Sequence, residues 1–253
     1  MSVIGVIPAR YSSQRLPAKP LVDLLGKTMV QRVYEQAMKA QRLDQVVVAT
    51  DDERIAKVVR SFDGKVVMTS PDIKSGSDRV AAVAQQTDGD IYMNIQGDEP
   101  LIAPEMIDQA AGVLLDDPAA IVGTLAKQIE SSADLMNPGV VKVVLDKDSY
   151  ALFFSRSTIP HVRDELDPAR WLGRHSFLKH IGLYVFRKDF LVRFSAMAES
   201  SLERSEKLEQ LRILENGCRI KVGLTGHDSI PIDTQADVDR VREILRVQQN
   251  NNP

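Results

Sequence analysis

Three permanent cations, Arg10, Arg15 and Lys19, recur every four or five residues along the segment 7–21. Pro8, Pro17 and Pro20 interrupt the same segment, and prolines at that density exclude a regular helix, so the charges sit on an irregular loop. The loop follows a short apolar run at 3–7 that reads as a first strand. Open α/β sheets bind ligands at the carboxyl ends of their strands. Two forked guanidiniums and one ammonium there suit a polyphosphate. Ala9, Ser12 and Ser13 are small enough for backbone N–H groups to approach an anion. The segment lacks the Gly-x-x-x-x-Gly-Lys of a Walker A loop. Charge alone would equally suit a solvated basic surface.

Two carboxylates are candidates for a hard cation. Asp98 lies in Gln96-Gly97-Asp98-Glu99-Pro100, past the end of an apolar run and beside a glycine that permits a tight turn. Mg²⁺ takes one or two carboxylates together with phosphate oxygens. Asp233 lies between Ser229-Ile230-Pro231-Ile232 and the last helical pattern, where an isolated Asp would serve as a helix-start residue. It gains chemical meaning only as a partner of Asp98. Ser75, Gly76 and Ser77, ahead of Asp78 and Arg79, could cradle a base or sugar, and they equally suit a capped helix start. On a later helical pattern Leu208, Leu211 and Leu214 make one apolar face while Ile213 lies off it. A helix apolar on more than one side is largely buried, so Glu209 and Gln210 need partners, either backbone groups or ligand hydroxyls. His180, at the start of a strand pattern, carries the same two readings.

The elements that must hold these residues alternate in the first half. Strands are predicted at 3–7, 45–49, 65–69 and 91–95, with helices over 28–41, from 53 towards 62, and from about 77 to 86. Thr50-Asp51-Asp52-Glu53 has the form of a capping box. Such repeats imply parallel strands joined by right-handed crossovers. The middle differs: strands at 121–126, 140–145 and 151–155 are close-set without intervening helices, and 158–176 is irregular. A strand at 180–186, helices at 187–197 and 203–216 with Gly217 as a C-cap, and a strand at 219–224 follow. Asp233 to Asp237 opens the last helix with a second capping box, and 248–253 is a frayed polar tail. No repeat or Gly/Ser-rich linker divides the chain, which reads as a single domain over 1–253.

Composition excludes several function classes. The 253 residues can bury a sizeable core, and a net charge of −3 without a Lys/Arg track gives no support to a nucleic-acid binder. No apolar stretch approaches the roughly 20 residues of a membrane span, and the start, entering a strand at once, is unlike a signal peptide. The single cysteine, Cys218, rules out an internal disulfide, fits a reducing cytoplasm and reads as a structural residue at a strand start. With His at 161, 175, 180 and 227 scattered, zinc has no support.

In order along the chain, IPARYSSQRLPAKPL at 7–21, ATDDERI at 49–55, VVMTSPDIKSGSDR at 66–79, NIQGDEPLI at 94–102, VKVVLD at 141–146, ALFFSRSTIP at 151–160, KHIGLYVFR at 179–187, KLEQLRILENG at 207–217 and DTQADVDRVR at 233–242 resemble the CMP-KDO synthetase family, the 3-deoxy-manno-octulosonate cytidylyltransferases. The resemblance covers essentially the whole chain. It departs at Ala18, where the family usually has Gly, and at Ser77, where it usually has Thr; 161–176 matches no motif. It implies a three-layer α/β nucleotidyltransferase fold with a Rossmann-like mixed sheet and a β-rich dimerisation subregion. The first part, about 1–118, would mainly bind CTP, and about 119–253 would mainly bind the sugar acid and form a homodimer. The reaction implied is CTP plus KDO giving CMP-KDO and diphosphate, dependent on Mg²⁺, in the cytoplasm, for lipopolysaccharide synthesis.

Residue by residue, the resemblance gives Arg10, Arg15 and Lys19 to the CTP phosphates, with Ala9 and Ser12 in the same loop. It gives Ser75, Gly76 and Ser77 to the nucleoside, and Asp98 and Asp233 to Mg²⁺. Gln96, Arg156, His180, Tyr184, Glu209 and Gln210 would line the KDO pocket, with Arg156 for the carboxylate. A sialic-acid or 8-amino-KDO enzyme is the near alternative. A metal-dependent glycosyltransferase would need an Asp-x-Asp that Gly97-Asp98-Glu99 lacks, and a non-catalytic nucleotide-binding module is the third reading.

Overall fold

The structure, a computed structural model, describes residues 1–12 and 15–251; Ser13, of the basic loop, lies outside the described residues. In chain order the elements are β1 (Val3–Ala9), α1 (Met29–Ala37), β2 (Gln45–Thr50), α2 (Glu53–Ser61), β3 (Val66–Met68), α3 (Gly76–Ala84), β4 (Ile91–Asn94), α4 (Pro104–Leu115), β5 (Val122–Gln128), α5 (Ser132–Met136), β6 (Lys142–Leu145), β7 (Ala151–Ser155), β8 (Leu178–Arg187), α6 (Lys188–Ser195), α7 (Ser201–Glu206), α8 (Gln210–Glu215), β9 (Lys221–Leu224) and α9 (Gln235–Asn251). The chain forms two compact units, one of residues 1–108 with 228–253 and one of residues 109–227.

The first unit is the predicted strand–helix alternation. Its strands run β3-β2-β1-β4, all parallel, with Ile4 opposite Gln45 and Val3 opposite Ile91. β1, β2 and β4 are predominantly apolar and are buried along almost their whole length, as parallel strands covered on both faces must be. α1 starts at Thr28, whose side chain accepts from Gln31 N, and buries Met29, Val30, Val33, Tyr34 and Ala37. α2 is capped two residues later than the predicted box: Asp52, not Thr50, is the cap and accepts from Arg54 N at 2.9 Å. Thr50 is the last residue of β2 and is buried there. α9 packs Val238, Val241 and Leu245, with Ile232, onto Leu16, Leu24 and Met29. The helix continues through Asn251, past the start of the predicted frayed tail.

The second unit pairs β5 antiparallel with β8 and parallel with β9, and β6 antiparallel with both β7 and β8. Two helices that the strand pattern passed over lie near here. α4 has Pro104 at its first position and buried Met106, Ile107, Ala110, Ala111 and Leu114 at helical spacing. α5 is a single short turn capped by Ser131, so the strands of the middle are not free of helix. Residues Pro168–Gly173 form a 3-10 helix inside the segment expected to be irregular. Its Trp171 donates Nε1–H to the Glu165 carbonyl at 2.8 Å and packs with Ile129, Leu135 and Phe177. The helix expected over 203–216 is two helices. Lys207, with φ 52°, ends α7 in the left-handed region, and Gln210 begins α8. A bidentate pair from Arg212 to Glu203, at 2.7 and 2.6 Å, ties the two together.

Candidate functional site

In the first unit the parallel register brings Ala9 opposite Thr50 and Val6 opposite Asn94, so the loop after β1 and the segment after β4 leave the sheet at the same end. Gly97 is the contact between them. A Cβ there would sit 2.5 Å from the Pro8 carbonyl oxygen, so only glycine lets the chain pass this close. Ile232 N donates to the Asp98 carbonyl at 2.9 Å, which brings the C-terminal segment alongside. The predicted second capping box is present, but it is made by Thr234 and Asp237: Thr234 N donates to Asp237 Oδ2 at 2.8 Å, and Asp237 N donates to Thr234 Oγ1 at 3.3 Å. The Asp233 carboxylate is thereby left to face the loop.

Lys19 meets both carboxylates. Its ammonium lies 2.6 Å from Asp98 Oδ2 and 3.0 Å from Asp233 Oδ1, and Arg15 reaches Asp233 Oδ1 at 2.9 Å. Two carboxylates that converge on one cation are the hard oxygen donor set that a divalent cation such as Mg²⁺ accepts, and the residues fit that group. A cavity of about 260 Å³ opens beside them, lined by Arg10, Ser12, Lys19, Gly76, Gln96 and Asp98 among others. Gln96, expected with the sugar-acid residues, lines this basic cavity. Arg10 donates to the Ile73 carbonyl. Burial, and next the neighbouring Arg79, hold its pKa below the usual value. Ser75 caps α3, its hydroxyl accepting from Asp78 N at 3.0 Å, and Ser77 is buried. The capping and ligand-cradle readings of this segment are therefore compatible: the cap presents the first turn of α3, with Gly76, to the cavity.

The loop backbone is bent at Ala18, which sits at φ 53° and ψ 31° ahead of a 3-10 turn, Lys19–Leu21. A left-handed conformation costs an L-residue roughly 1–2 kcal/mol. This accounts for the one position in the loop where Gly was expected and Ala stands.

Sequence reasoning missed two features here. Arg79, fully buried, donates to Thr69 Oγ1 and, at 3.2 Å, to Asp51 Oδ2, bracing the ends of β2 and β3 against α3. It lay inside a motif read only for its small residues. Glu99 is buried beside Asp98. Burial pushes its carboxyl up to about 7, and the Asp98 charge adds to the rise.

In the second unit His180 and Tyr184 lie two pleats apart on β8 with ring centroids 5.2 Å apart. His180 Nε2 is 3.0 Å from Thr124 Oγ1, a hydroxyl that also lies 2.9 Å from the Leu183 carbonyl. With its one proton directed to that carbonyl, Thr124 accepts from the imidazole, which assigns the Nε2–H tautomer. Desolvation lowers the His180 pKa to about 3, so the ring is neutral. The Tyr184 hydroxyl is buried and, among the described residues, has no hydrogen-bond partner. Burial, and then the charge of Glu209, raise its pKa well above the usual value. Glu209 is the cap residue of α8, and Gln210 its first residue, with a buried amide nitrogen that likewise lacks a partner. Buried donors and acceptors are normally satisfied, so the unmet groups of Tyr184 and Gln210 beside His180 mark a polar site among the described residues.

Arg156 is held differently from the carboxylate-facing posture expected of it. Its Nε donates to the Glu206 carbonyl at 2.6 Å, and its two terminal nitrogens to Pro138 and Lys207 carbonyls at 3.1 and 3.4 Å. Glu206 in turn accepts from Ser155 Oγ at 2.7 Å and from Arg156 N at 2.9 Å. Lys142, fully buried at the start of β6, donates to the Asn137, Val140 and Arg156 carbonyls at 2.8 to 3.0 Å. Arg156 braces the turn at Lys207 that leads into Glu209 and Gln210, and Lys142 holds the Arg156 backbone. Neither Lys142 nor Glu206 carried a signal in the sequence beyond its charge within an apolar or helical run.

Comparison with known proteins fits this geometry. The family described as "Cytidylyltransferase" matches residues 4–220. The 3-deoxy-manno-octulosonate cytidylyltransferase of Geobacter sulfurreducens is 50% identical over 97% of this chain and all of its own length, and that of Pelobacter propionicus is 50% identical over 99% and 100%. A solved structure of CMP:2-keto-3-deoxy-manno-octonic acid synthetase complexed with CTP is 41% identical, with a TM-score of 0.92 over 98% of this chain and 100% of that one. The 4-diphosphocytidyl-2C-methyl-D-erythritol synthase of Anaerococcus prevotii, 13% identical with a TM-score of 0.64, shares the fold. Cytidylyltransferases generally use a divalent metal. Among the described residues no helix is long and apolar enough to cross a membrane. The chain belongs to the cytidylyltransferase family, with the nucleotidyltransferase fold, and within it to the 3-deoxy-manno-octulosonate cytidylyltransferases.

Proposed function

We propose that this protein transfers the cytidylyl group of CTP to KDO, with Mg²⁺, releasing diphosphate. The observation that carries the reading is the convergence of Lys19, Arg15, Asp98 and Asp233 at one end of a parallel sheet. The anomeric hydroxyl of the acceptor loses its proton to solvent and its oxygen bonds to the α-phosphorus, while the bond from that phosphorus to the diphosphate breaks and the diphosphate leaves. No protein nucleophile is required. Arg10, Arg15 and Lys19 bind and orient the triphosphate, with Ala9 and Ser12 beside them, and they neutralise charge that moves onto the leaving diphosphate. Ser75, Gly76 and Ser77 contact the nucleoside. Asp98 and Asp233 hold the Mg²⁺, which supplies Lewis-acid stabilisation of the phosphoryl oxygens when bound.

His180, Tyr184, Glu209 and Gln210 take the hydroxyls of the sugar acid. The unmet Tyr184 hydroxyl and Gln210 amide nitrogen, and the neutral His180 ring, suit an uncharged polyhydroxylated surface. Arg156 serves the acceptor's carboxylate by way of the turn that it braces, and Gln96 completes the acceptor contacts. The β-rich second unit forms the homodimer contact, the enzyme works in the cytoplasm, and its product enters lipopolysaccharide synthesis. The test is Asp98→Asn and Asp233→Asn assayed at limiting Mg²⁺. Each should lose turnover by several kcal/mol of transition-state stabilisation, an order-of-magnitude figure. Near-normal turnover in both folded variants would remove the metal assignment.

A further inference from the structure

Lys19 has two assignments that compete. Its ammonium already lies between Asp98 Oδ2 and Asp233 Oδ1, at 2.6 and 3.0 Å, and the same ammonium is the innermost cation of the phosphate loop. Its side chain is mostly enclosed, and the short 3-10 turn that begins at Lys19 restricts where it can go. A divalent cation held by both carboxylates would lie against this ammonium, and two positive centres that close in a partly enclosed site repel strongly. Arg15 adds a second competing charge on Asp233, from a more exposed position. A triphosphate relieves the conflict, because its oxygens give the ammonium and the guanidinium another anion to pair with.

We infer that Lys19 is an exchangeable counter-ion that blocks the carboxylate pair until a nucleotide's phosphates draw it away, so that nucleotide and divalent cation bind as one cooperative unit. The inference rests on the reading of Asp98 and Asp233 as metal ligands and adds an order of events to it. The carboxylates are kept paired, and hence oriented, by a group the protein itself carries. The protein without nucleotide would then take up free divalent cations poorly, and nucleotide would raise its affinity for them by the coupling that any two linked ligands must share.

The experiment measures Mn²⁺ binding by electron paramagnetic resonance and by water-proton relaxation, which separates protein-bound Mn²⁺ from Mn²⁺–CTP in solution. Without nucleotide, Lys19→Gln should bind Mn²⁺ about tenfold more tightly than the unaltered protein, and adding Asp98→Asn should remove that gain. Arg10→Gln is the control. Arg10 belongs to the same cavity but donates to the Ile73 carbonyl, so its loss should change Mn²⁺ affinity by no more than about twofold. Should Lys19→Gln fail to fold by circular dichroism, Arg15→Gln, which removes one of the two cations on Asp233 and leaves Lys19 in place, should give a smaller gain in the same direction. A gain below about threefold for Lys19→Gln, or an equal gain for Arg10→Gln, overturns the inference, the second outcome by showing a diffuse charge effect. Failure of the underlying reading looks different: Mn²⁺ bound in the presence of CTP would be unaffected by Asp98→Asn.

Discussion

Replacing Tyr184 by Phe should separate stability from function. The Tyr184 hydroxyl is buried and meets no partner among the described residues. An unsatisfied buried hydroxyl costs a fold about 1–3 kcal/mol, so removing the oxygen while keeping the ring should stabilise the protein, by about 1 kcal/mol. The stacked contact with Phe186, at 5.8 Å between centroids, and the tilted one with His180 are kept. In a chain of this size 1 kcal/mol is about 2–4 °C in Tm. If the hydroxyl is reserved for a sugar hydroxyl, its loss removes one hydrogen bond from the acceptor complex. That bond is worth about 0.5–1.5 kcal/mol, or roughly a two- to thirteenfold fall in kcat/KM for KDO. The KM for CTP should not move. The assay is thermal denaturation beside steady-state diphosphate release with each substrate varied in turn. A lower Tm with unchanged kinetics for KDO would refute the reasoning, because the hydroxyl would then be satisfied within the fold and idle in binding.

His180 carries a pH prediction. Its ring is neutral in the fold with a pKa near 3, whereas the unfolded chain protonates it near 6.5. The unfolded state therefore binds the extra proton between these values, so this contribution to stability is complete above about 6.5 and is lost as pH falls towards 3, by up to about 5 kcal/mol. His180→Asn should flatten that part of the urea-denaturation stability profile, and an unchanged acid limb would contradict the buried neutral ring. Ala18→Gly relieves a left-handed alanine, offset in part by the greater freedom of unfolded glycine, and should raise urea stability by about 0.5–1 kcal/mol. A fall would show that the strain is not there.

Most of the first unit was legible because its signals are local and periodic. Buried strands such as β2, apolar throughout 46–49, are unbroken apolar runs at their centres, and α1 keeps its apolar residues on one stripe. The basic loop and the two carboxylates were legible as residue types. Their meeting was not, because it depends on Gly97 passing the Pro8 carbonyl and on the bond from Ile232 N to the Asp98 carbonyl, both long-range events. The break between α7 and α8 was hidden because Lys207 is an ordinary helix former; what stops the helix there is the pairing of Arg212 with Glu203 and the carbonyls that Arg156 gathers. Lys142 was hidden for a related reason. A lysine at the head of the run Val143-Val144-Leu145 looks like an edge residue, and only the fold supplies the three carbonyls that let it be buried. α4 was legible and passed over: Pro104 at the first position and five buried apolar residues behind it are a helix start and stripe.

The most direct test of the account is to follow the reaction of CTP, Mg²⁺ and a panel of sugar acids with this protein by ³¹P nuclear magnetic resonance and mass spectrometry. With KDO the account predicts stoichiometric diphosphate and a CMP-KDO phosphodiester, both lost on omission of Mg²⁺ and strongly reduced by Asp98→Asn. No diphosphate with KDO, or a preference for sialic acid or 8-amino-KDO over it, would contradict the account.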